Sequence, residues 1–344
     1  MRCRNARGTI DHGLEIHGRL GTGPPHQLPR RVTNRLPRGA YDGSVSTEAV
    51  VDHQADNAVG VAEVAALLRE RGPALVLTGA GISTESGIPD YRGPDGNRRV
   101  TPMSHQEFTA TSAARQRYWA RSFIGWQRFT AAEPNAGHVA VARLQRVGAF
   151  GDVITQNVDG LHQQAGASNV IELHGTLSEV ECLTCGERTD RDFVQALMDD
   201  ANHGFAALAL GLVGDGSQVS SQIRPDGDIV LADEAVQSFT APRCLVCGHD
   251  TLKPDVVFFG GSVPKPRVEA CFELTDAAPA LVVLGSSLKV MSGYRFVRRA
   301  AANGIPVVVV TKGPTRGDAE TTHRIDAPLG VTLSALADEL APAS

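Results

Sequence analysis

The sequence lacks the marks of two large classes of protein. No apolar stretch approaches the roughly 20 residues that a membrane-spanning helix needs, and the longest ones, such as residues 280–284 and 307–310, have the length of a β-strand. An excess of positive charge is also absent: the formal net charge is −5, so no global electrostatic argument favours nucleic-acid binding. We therefore expect small molecules or proteins as partners, and neither a membrane nor a specific nucleic acid.

Cysteine is scarce, and its spacing is informative. Four of the six cysteines form two Cys-x-x-Cys pairs, Cys182 with Cys185 and Cys244 with Cys247. Two such pairs supply four thiolates and leave no open coordination position, which predicts one structural Zn²⁺, whereas a single pair is also typical of redox sites. Paired cysteines without a signal peptide indicate a cytoplasmic protein. The long separation of the pairs predicts an insertion that includes residues 206–218.

Residues 1–55 differ from the rest of the chain. Positions 1–38 carry eight arginines and only two acids, glycine and proline are frequent, and no apolar period is visible. We interpret this segment as a disordered basic arm without a function of its own. A transit peptide is the alternative, although the prolines disfavour the amphipathic helix that it needs.

From residue 56 onward, helical and strand-like patterns alternate. Val61, Val64, Ala65 and Leu68 have helical spacing, and helices are also expected at 112–129, 135–148, after Pro266 and at 294–303. Short apolar segments between them predict strands at 74–78, 152–155, 170–173, 256–259, 280–284 and 305–310. Strands that are apolar throughout predict an α/β fold with a parallel sheet covered on both faces. Ligands bind such sheets at the carboxyl ends of the strands.

A glycine-rich turn, Thr78–Ser83, directly follows the first predicted strand. Its glycines let the backbone approach a pyrophosphate, whose charge free N–H groups stabilise. The pattern also fits a plain strand-to-helix turn, and Thr84 replaces the third glycine of the dehydrogenase fingerprint. In the next loop, Gly87–Gly93, Arg92 suits a phosphate or carboxylate and Tyr91 suits the exclusion of water; the alternative is a solvated surface loop.

Polar residues follow three other predicted strands. Gln156, Asn157 and Asp159 offer amide and carboxylate groups that suit a sugar and a carboxamide. Small and hydroxyl-bearing residues at 285–288 and 313–315 again suit the close approach of a dinucleotide.

A histidine at a strand end is a reasonable general base, because its ordinary pKa is near neutrality. His174 has that position after the strand 170–173. His162 is the second histidine of this region, and we interpret it as structural or solvated.

Taken together and in this order, the motifs resemble those of the sirtuin family, and chance agreement across so many of them is implausible. The resemblance runs from about Val61 to about Leu340, and it is closest to class II, the branch of the mitochondrial lipoamidase and ADP-ribosyltransferase type. The motifs that carry it are GAGIS at 79–83, GIPDYRG at 87–93, TQNVDGLH at 155–162, ELHG at 172–175, the two cysteine pairs and GSSL at 285–288. Four further segments point to class II: residues 225–228, 253–260, 292–296 and 313–316.

The resemblance implies two domains with a cleft between them. A large Rossmann-like NAD-binding domain is expected at residues 56–180 and 254–344, with a cofactor loop and helical module at 90–135. A smaller zinc-binding domain is expected as an insertion at 181–253. NAD and an acyl-lysine peptide are expected to meet in the cleft.

The resemblance also implies a chemistry, that of an NAD-dependent protein deacetylase or deacylase. The acyl oxygen attacks the nicotinamide ribose and displaces nicotinamide, and His174 then deprotonates a ribose hydroxyl. The products are deacylated protein, nicotinamide and O-acyl-ADP-ribose. Asn157 is expected to hold the ribose and Asp159 the nicotinamide amide. Mono-ADP-ribosyltransferase and lipoamidase activities at the same site stay open as alternatives, while a non-catalytic NAD sensor or zinc scaffold is disfavoured by the intact catalytic residues.

The resemblance further implies binding residues. The peptide is expected to add a strand near Phe259, Gly260 and Val290. Two departures from the family pattern are Gly261, where an acid is usual, and Thr311, where an asparagine is common. The expected NAD-binding residues are Gly79, Ala80, Gly81, Ser83, Asp90, Tyr91, Arg92, Gln156, Asn157, Val158, Asp159, Gly285, Ser286, Ser287, Thr311, Lys312, Gly313 and Leu329.

Arg98 and Arg99 follow the Gly87–Gly93 loop. We expect acetyl-lysine to be accepted, and acidic acyl groups only where one of these arginines reaches the acyl channel. A guanidinium pairs bidentately with a carboxylate. The alternative is that both arginines are solvated surface charges.

Overall fold

The computed structural model describes residues 60–93, 97–98, 101–213, 227–229 and 231–340. The predicted arm at 1–55 and Arg99 lie outside the described residues. Of the predicted insertion, residues 206–213 belong to a helix, Phe205–Val213, and the remainder is not described. None of the described helices is long and apolar enough to cross a membrane.

Six short strands form the large sheet, and every neighbouring pair is parallel. The strands are β1 Ala74–Thr78, β2 Phe150–Thr155, β3 Val170–Glu172, β7 Leu281–Leu284, β8 Val307–Val310 and β9 His323–Ile325. Their order across the sheet is β3-β2-β1-β7-β8-β9. This confirms the predicted α/β fold with a Rossmann-like parallel sheet.

Helices cover both faces of this sheet, because alternate residues of each strand point to opposite sides. Val76, Val282 and Val308 pack with helices 60–71, Ala136–Arg146 and Leu329–Leu340. Leu77 and Val283 pack on the other side with helices Lys265–Ala277 and Met291–Ala302. The first helix buries Val61, Val64, Ala65 and Leu68, the four residues whose spacing predicted it.

The chain leaves β1 in one direction for β2 and returns on its other side for β7, so the strand order reverses at β1. A crevice opens at the carboxyl ends of the strands where the order reverses in this way. The turns after β1 and β7 touch there: the N–H of Gly79 donates to Leu284 O at 3.0 Å, and the N–H of Gly81 donates to Gly285 O at 2.8 Å. A Cβ on Gly81 would lie 2.7 Å from Gly285 O, so glycine is needed for this approach.

A second sheet is antiparallel and has three strands, β4 Gly175–Cys182, β5 Arg188–Asp190 and β6 Leu252–Val256. Their order across this sheet is β5-β4-β6. The apolar segment 256–259 was expected to form a strand of the alternating pattern. Instead it continues from the end of β6, in the small sheet, toward the crevice, since β6 pairs with β4 and not with a parallel strand.

The helices His105–Ala110 and Ser112–Thr130 pack against the segment that carries the cysteines. The indole N–H of Trp119 donates to Leu252 O at 3.0 Å, and Arg115 pairs with Asp250 at 3.0 Å. The rings of Phe123 and Phe239 lie 5.6 Å apart. We therefore propose that these helices belong with the zinc-binding domain predicted at 181–253. The remaining α-helices of the described residues are Leu161–Gln164, Arg191–Ala201 and Asp233–Ser238, and short 3-10 helices lie at Ala80–Ile82, Thr84–Ser86 and Asp318–Glu320.

Candidate active site

A cavity of about 1170 Å³ lies at the carboxyl ends of β1, β2, β7 and β8. The structure brings all but one of the predicted NAD-binding, catalytic and peptide-binding residues to its wall. The exception is Gly313, which does not line the cavity; its N–H donates to Asp326 at 3.1 Å, and the next residue, Pro314, takes its place on the wall.

A polar network fixes the part of the wall that follows β1 and β2. The hydroxyl of Ser83 donates to Asp159 at 2.7 Å, and the side-chain amide of Asn157 donates to Ser83 Oγ at 3.0 Å and to Gly79 O at 3.2 Å. Asp159 also accepts from the N–H of Leu161 at 3.0 Å. The amide hydrogens of Asn157 are thus used within the protein. Its side-chain carbonyl oxygen is left as an acceptor for hydroxyl groups in the cavity.

Gln156, which follows β2, connects the end of that strand to the ends of β1 and β7 by hydrogen bonds. Its side-chain amide donates to Thr78 O at 3.0 Å and to Ser286 Oγ at 2.9 Å. Because Thr78 ends β1 and Ser286 follows β7, these bonds hold the floor of the cavity in one arrangement.

The protonation state of His174 follows from its partners. Its Nδ1 lies 2.8 Å from the carbonyl oxygen of Gln156, which only accepts, so Nδ1 carries the proton. Burial lowers the pKa of the imidazole, the bond to Gln156 opposes that shift, and the charges of Arg267 and Arg295 add to it. The ring is therefore neutral near pH 7, with the lone pair of Nε2 available to take a proton. This is the form that a general base requires.

His162 lies outside the cavity wall. Its Nε2 is 3.0 Å from Thr78 Oγ1, and its ring is 5.0 Å from that of His138. Burial and the neighbouring His138 lower the pKa of His162 to about 3. The prediction that this histidine is structural therefore agrees with its environment.

The segment after β6 forms the opposite lip of the cavity. The N–H of Val257 donates to His174 O at 2.8 Å, and Phe259 O accepts from the N–H of His105 at 2.9 Å. The Phe259 ring contacts Tyr91 at 5.4 Å and the guanidinium of Arg98 at 5.0 Å. Across the cavity, Val290 is 38% exposed, which leaves an apolar side chain at the entrance.

Several residues of the wall were not predicted from the sequence, and two of them are polar groups with a defined hydrogen-bond partner. Ser292 belongs to the segment 292–296, which was predicted only as a mark of class II, yet its Oγ lies 2.8 Å from Nε2 of His174. Glu85 had no sequence signal, and it accepts from the N–H of Gly330 at 3.0 Å, at the start of the helix Leu329–Leu340.

The four paired cysteines form one cluster, as predicted, with all Sγ atoms within 4.8 Å of one another. The distances are 3.6 Å from Cys182 to Cys247 and 3.7 Å from Cys185 to Cys244. Four sulfurs about 2.3 Å from a tetrahedral zinc lie about 3.8 Å apart, and a disulfide requires about 2.05 Å. The donor set therefore fits a structural Zn²⁺ and not disulfides.

Comparisons with known proteins agree with this geometry. The family model of the Sir2 family matches residues 79–292. A protein named NAD-dependent protein deacetylase 1 from Streptomyces coelicolor is 53% identical over 281 residues, which are 81% of this chain and 90% of that protein. A protein named NAD-dependent protein lipoamidase sirtuin-4, mitochondrial, from Bos taurus is 43% identical over 75% of this chain and 80% of its own length.

Solved structures show the same likeness. A Sir2 structure with a p53 peptide and NAD⁺ matches with a TM-score of 0.60 and 29% identity, over 78% of this chain and 92% of that chain. The fold, the sequence motifs and these relatives agree, and the chain belongs to the Sir2 family, the sirtuins.

Proposed function

We propose that this protein is an NAD-dependent lysine deacylase that acts on acetyl-lysine in protein substrates. It releases nicotinamide, O-acyl-ADP-ribose and the deacylated protein. The observation that carries the proposal is the neutral imidazole of His174, whose Nε2 lone pair is available in a cavity that also holds Asn157 and Asp159. The two relatives named above, one called a deacetylase and one a lipoamidase, support the same class of reaction.

Bound NAD supplies an ADP-ribosyl group that accepts the acyl oxygen in place of nicotinamide. The protein binds and orients the two substrates around it. The glycine turn after β1 gives close backbone approach for the pyrophosphate, Asn157 accepts from the ribose hydroxyls, and Asp159 holds the carboxamide. His174 takes a proton at Nε2 and passes it on within the cavity. Tyr91 and Phe259, in edge-to-face contact, exclude water from the reacting atoms.

The peptide substrate is proposed to lie along the segment after β6. Residues Val257–Gly260 continue from a strand and line the cavity together with Val290. An extended peptide added there makes main-chain hydrogen bonds, which suit many target sequences because they need no particular side chain.

The cysteine cluster is proposed to hold one Zn²⁺ in a structural role. Four thiolates leave no coordination position for substrate. A four-thiolate zinc site is typical of reducing compartments such as the cytoplasm, which supports the predicted location.

A lipoamidase activity is the second candidate, and it rests on the relative from Bos taurus. The same cavity and the same base serve both acyl groups. A mono-ADP-ribosyltransferase differs in its product, since a protein side chain then receives the ribose.

The test is a mass-spectrometric assay of the purified protein with NAD and a panel of acyl-lysine peptides. Loss of the acyl mass from the peptide, with equal amounts of nicotinamide and O-acyl-ADP-ribose, is expected for the acetyl peptide. The His174→Ala variant is the matched control and should leave the peptide unchanged. ADP-ribosylated protein without deacylation would favour the transferase, and no NAD-dependent change in any peptide would overturn the proposed function.

A further inference from the structure

One hydroxyl group of the cavity has no part in the function proposed above. Ser292 is the second residue of the helix Met291–Ala302, is half-buried, and lines the cavity. Its Oγ lies 2.8 Å from Nε2 of His174, the nitrogen that takes the proton.

The hydrogen bond that His174 makes through its other ring nitrogen shows which atom donates to which. The carbonyl oxygen of Gln156 fixes the proton of His174 on Nδ1, at 2.8 Å. A neutral imidazole carries only that one proton, so Nε2 accepts and the hydroxyl of Ser292 donates. The ring is thus held by one hydrogen bond on each nitrogen.

The approach of Ser292 to the ring is built into the fold. The following residue is Gly293, and a Cβ there would lie 2.6 Å from Oε1 of Gln156. Gln156 is itself held by its bonds to Thr78 and Ser286. Only glycine at position 293 lets the start of the helix lie against Gln156 and bring Ser292 to the base.

We propose that Ser292 is a positioning residue for His174. It holds Nε2 toward the cavity while NAD is absent, and the ribose hydroxyl replaces it when NAD is bound. The inference rests on the proposed function, in which Nε2 must meet a ribose hydroxyl. A donor that occupies the lone pair beforehand fixes the ring in the orientation that the substrate needs.

A hydrogen bond to the neutral form of a base favours that form, so loss of the Ser292 hydroxyl raises the pKa of His174. The other charged groups that act on the ring are Arg267, on the helix Lys265–Ala277, and Arg295, on the same helix as Ser292. Glu172 lies two residues before His174, and burial raises the pKa of its carboxyl. A change confined to Ser292 leaves these three groups in place.

The test compares Ser292→Ala and Ser292→Thr with the native protein in two pH profiles. The acidic limb of kcat/KM for NAD, at saturating acetyl peptide, reports the enzyme before NAD binds, and that of kcat reports the full complex. Ser292→Ala should shift the acidic limb of kcat/KM to higher pH, by about half a pH unit to one pH unit, and leave the acidic limb of kcat at its native pH. Ser292→Thr, which keeps the hydroxyl, should restore the native profile. Glu172→Gln is the control for the neighbouring carboxyl and should keep the native limb.

The proposal is overturned if Ser292→Ala shifts neither acidic limb, because the hydroxyl then does not bond to Nε2. It is also overturned if the variant shifts both limbs equally, because the ribose hydroxyl then does not replace Ser292. NMR titration of the His174 ring without NAD separates this inference from the proposed function. A native protein that releases no nicotinamide would defeat the proposed function, and the titration would still decide whether Ser292 acts on the base. An unchanged pKa of His174 in the alanine variant would show that it does not.

Discussion

At the scale of single residues, the protonation of His174 sets the pH dependence of the reaction. Burial lowers the pKa of the imidazole below its usual value of 6.5. A general base works only when neutral, so activity should persist as the pH falls through 6.5 and be lost below the lowered pKa. The measurement is the pH profile of kcat/KM for NAD between pH 5 and 8, which reports the enzyme before NAD binds. An acidic limb centred above 6.5 would contradict this assignment.

The matched variant is His174→Ala. It should lower kcat by about 10²–10⁴-fold or more, because a base contributes to the transition state and not to ground-state binding. The dissociation constant for NAD, from calorimetry, should stay close to the native value. Asn157→Ala should damage both quantities, since Asn157 is proposed to contact the ribose.

Arg98 is the residue for which the structure adds most to the sequence prediction. Its side chain is exposed and lines the cavity, and its guanidinium lies 5.0 Å from the centre of the Phe259 ring. No ion pair involves Arg98 among the described residues. An acyl group that ends in a carboxylate can therefore pair with it.

We expect the native protein to accept acetyl-lysine and to act on glutaryl-lysine through Arg98. Arg98→Ala should lower kcat/KM for the glutaryl peptide by about two- to fivefold relative to the acetyl peptide, since an exposed ion pair contributes about 0.2–1 kcal/mol. Competition assays with acetyl, glutaryl and lipoyl peptides measure this ratio. An unchanged ratio in the variant would mean that the arginine does not contact the acyl group.

At the scale of elements, the start of the helix Met291–Ala302 depends on Gly293. A methyl group there would lie 2.6 Å from the Gln156 side chain, so Gly293→Ala should displace the helix start from the catalytic wall. We expect kcat/KM for NAD to fall about tenfold or more, as misplaced catalytic groups are costly. The matched control is Gly211→Ala in the helix Phe205–Val213, where nothing lies within 4 Å of an added Cβ. That control should keep full activity, and equal losses in the two variants would refute the argument.

The two cysteine turns depend on each other through the metal. Gly186 and Gly248, each next to a cysteine pair, have φ values of 76° and 74°, and each N–H donates to the first cysteine of its pair at 2.8 Å. We expect one zinc per chain by metal analysis. Its removal by a chelator, or the change Cys182→Ala, should lower the thermal unfolding temperature, since metal binding is coupled to folding. A purified, active protein without zinc would contradict this prediction.

The elements differ in how far the sequence could predict them. Five of the six parallel strands come from apolar segments, and the helices between them have a clear period, so local pattern was sufficient to place them. Strand β9, His323–Ile325, begins with two polar residues and was not predicted. The packing of helix Ser112–Thr130 depends on the Arg115–Asp250 pair, whose members are 135 residues apart, and no local pattern reports such a contact. The same holds for Ser292 and His174, which are separated by 118 residues. Glycines at positions 81 and 293 were visible in the sequence, but their close contacts become apparent only in three dimensions.

At the scale of the whole molecule, charge is distributed unevenly around the cavity of a protein whose net charge is −5. The three acids that line it, Glu85, Asp90 and Asp159, all lie on the loops after β1 and β2. Along the segments 256–263 and 288–295, which we propose to bind the peptide, the charged residues that line the cavity are Lys289 and Arg295, and Gly261 stands where the family resemblance leads us to expect an acid.

This distribution predicts a preference for acetyl-lysine flanked by acidic residues. Exposed ion pairs contribute about 0.2–1 kcal/mol each, so KM should be about two- to fivefold lower for a peptide with Asp flanks than for one with Lys flanks. The difference should shrink as salt rises, because the charges are exposed. Lys289→Glu should reduce or reverse the preference. Lys289 is chosen over Arg295 because the charge of Arg295 also lowers the pKa of His174. Arg71→Glu, an equal change of charge on helix 60–71, should leave the preference as it is. A preference that survives high salt and Lys289→Glu would show that shape, and not charge, selects the peptide.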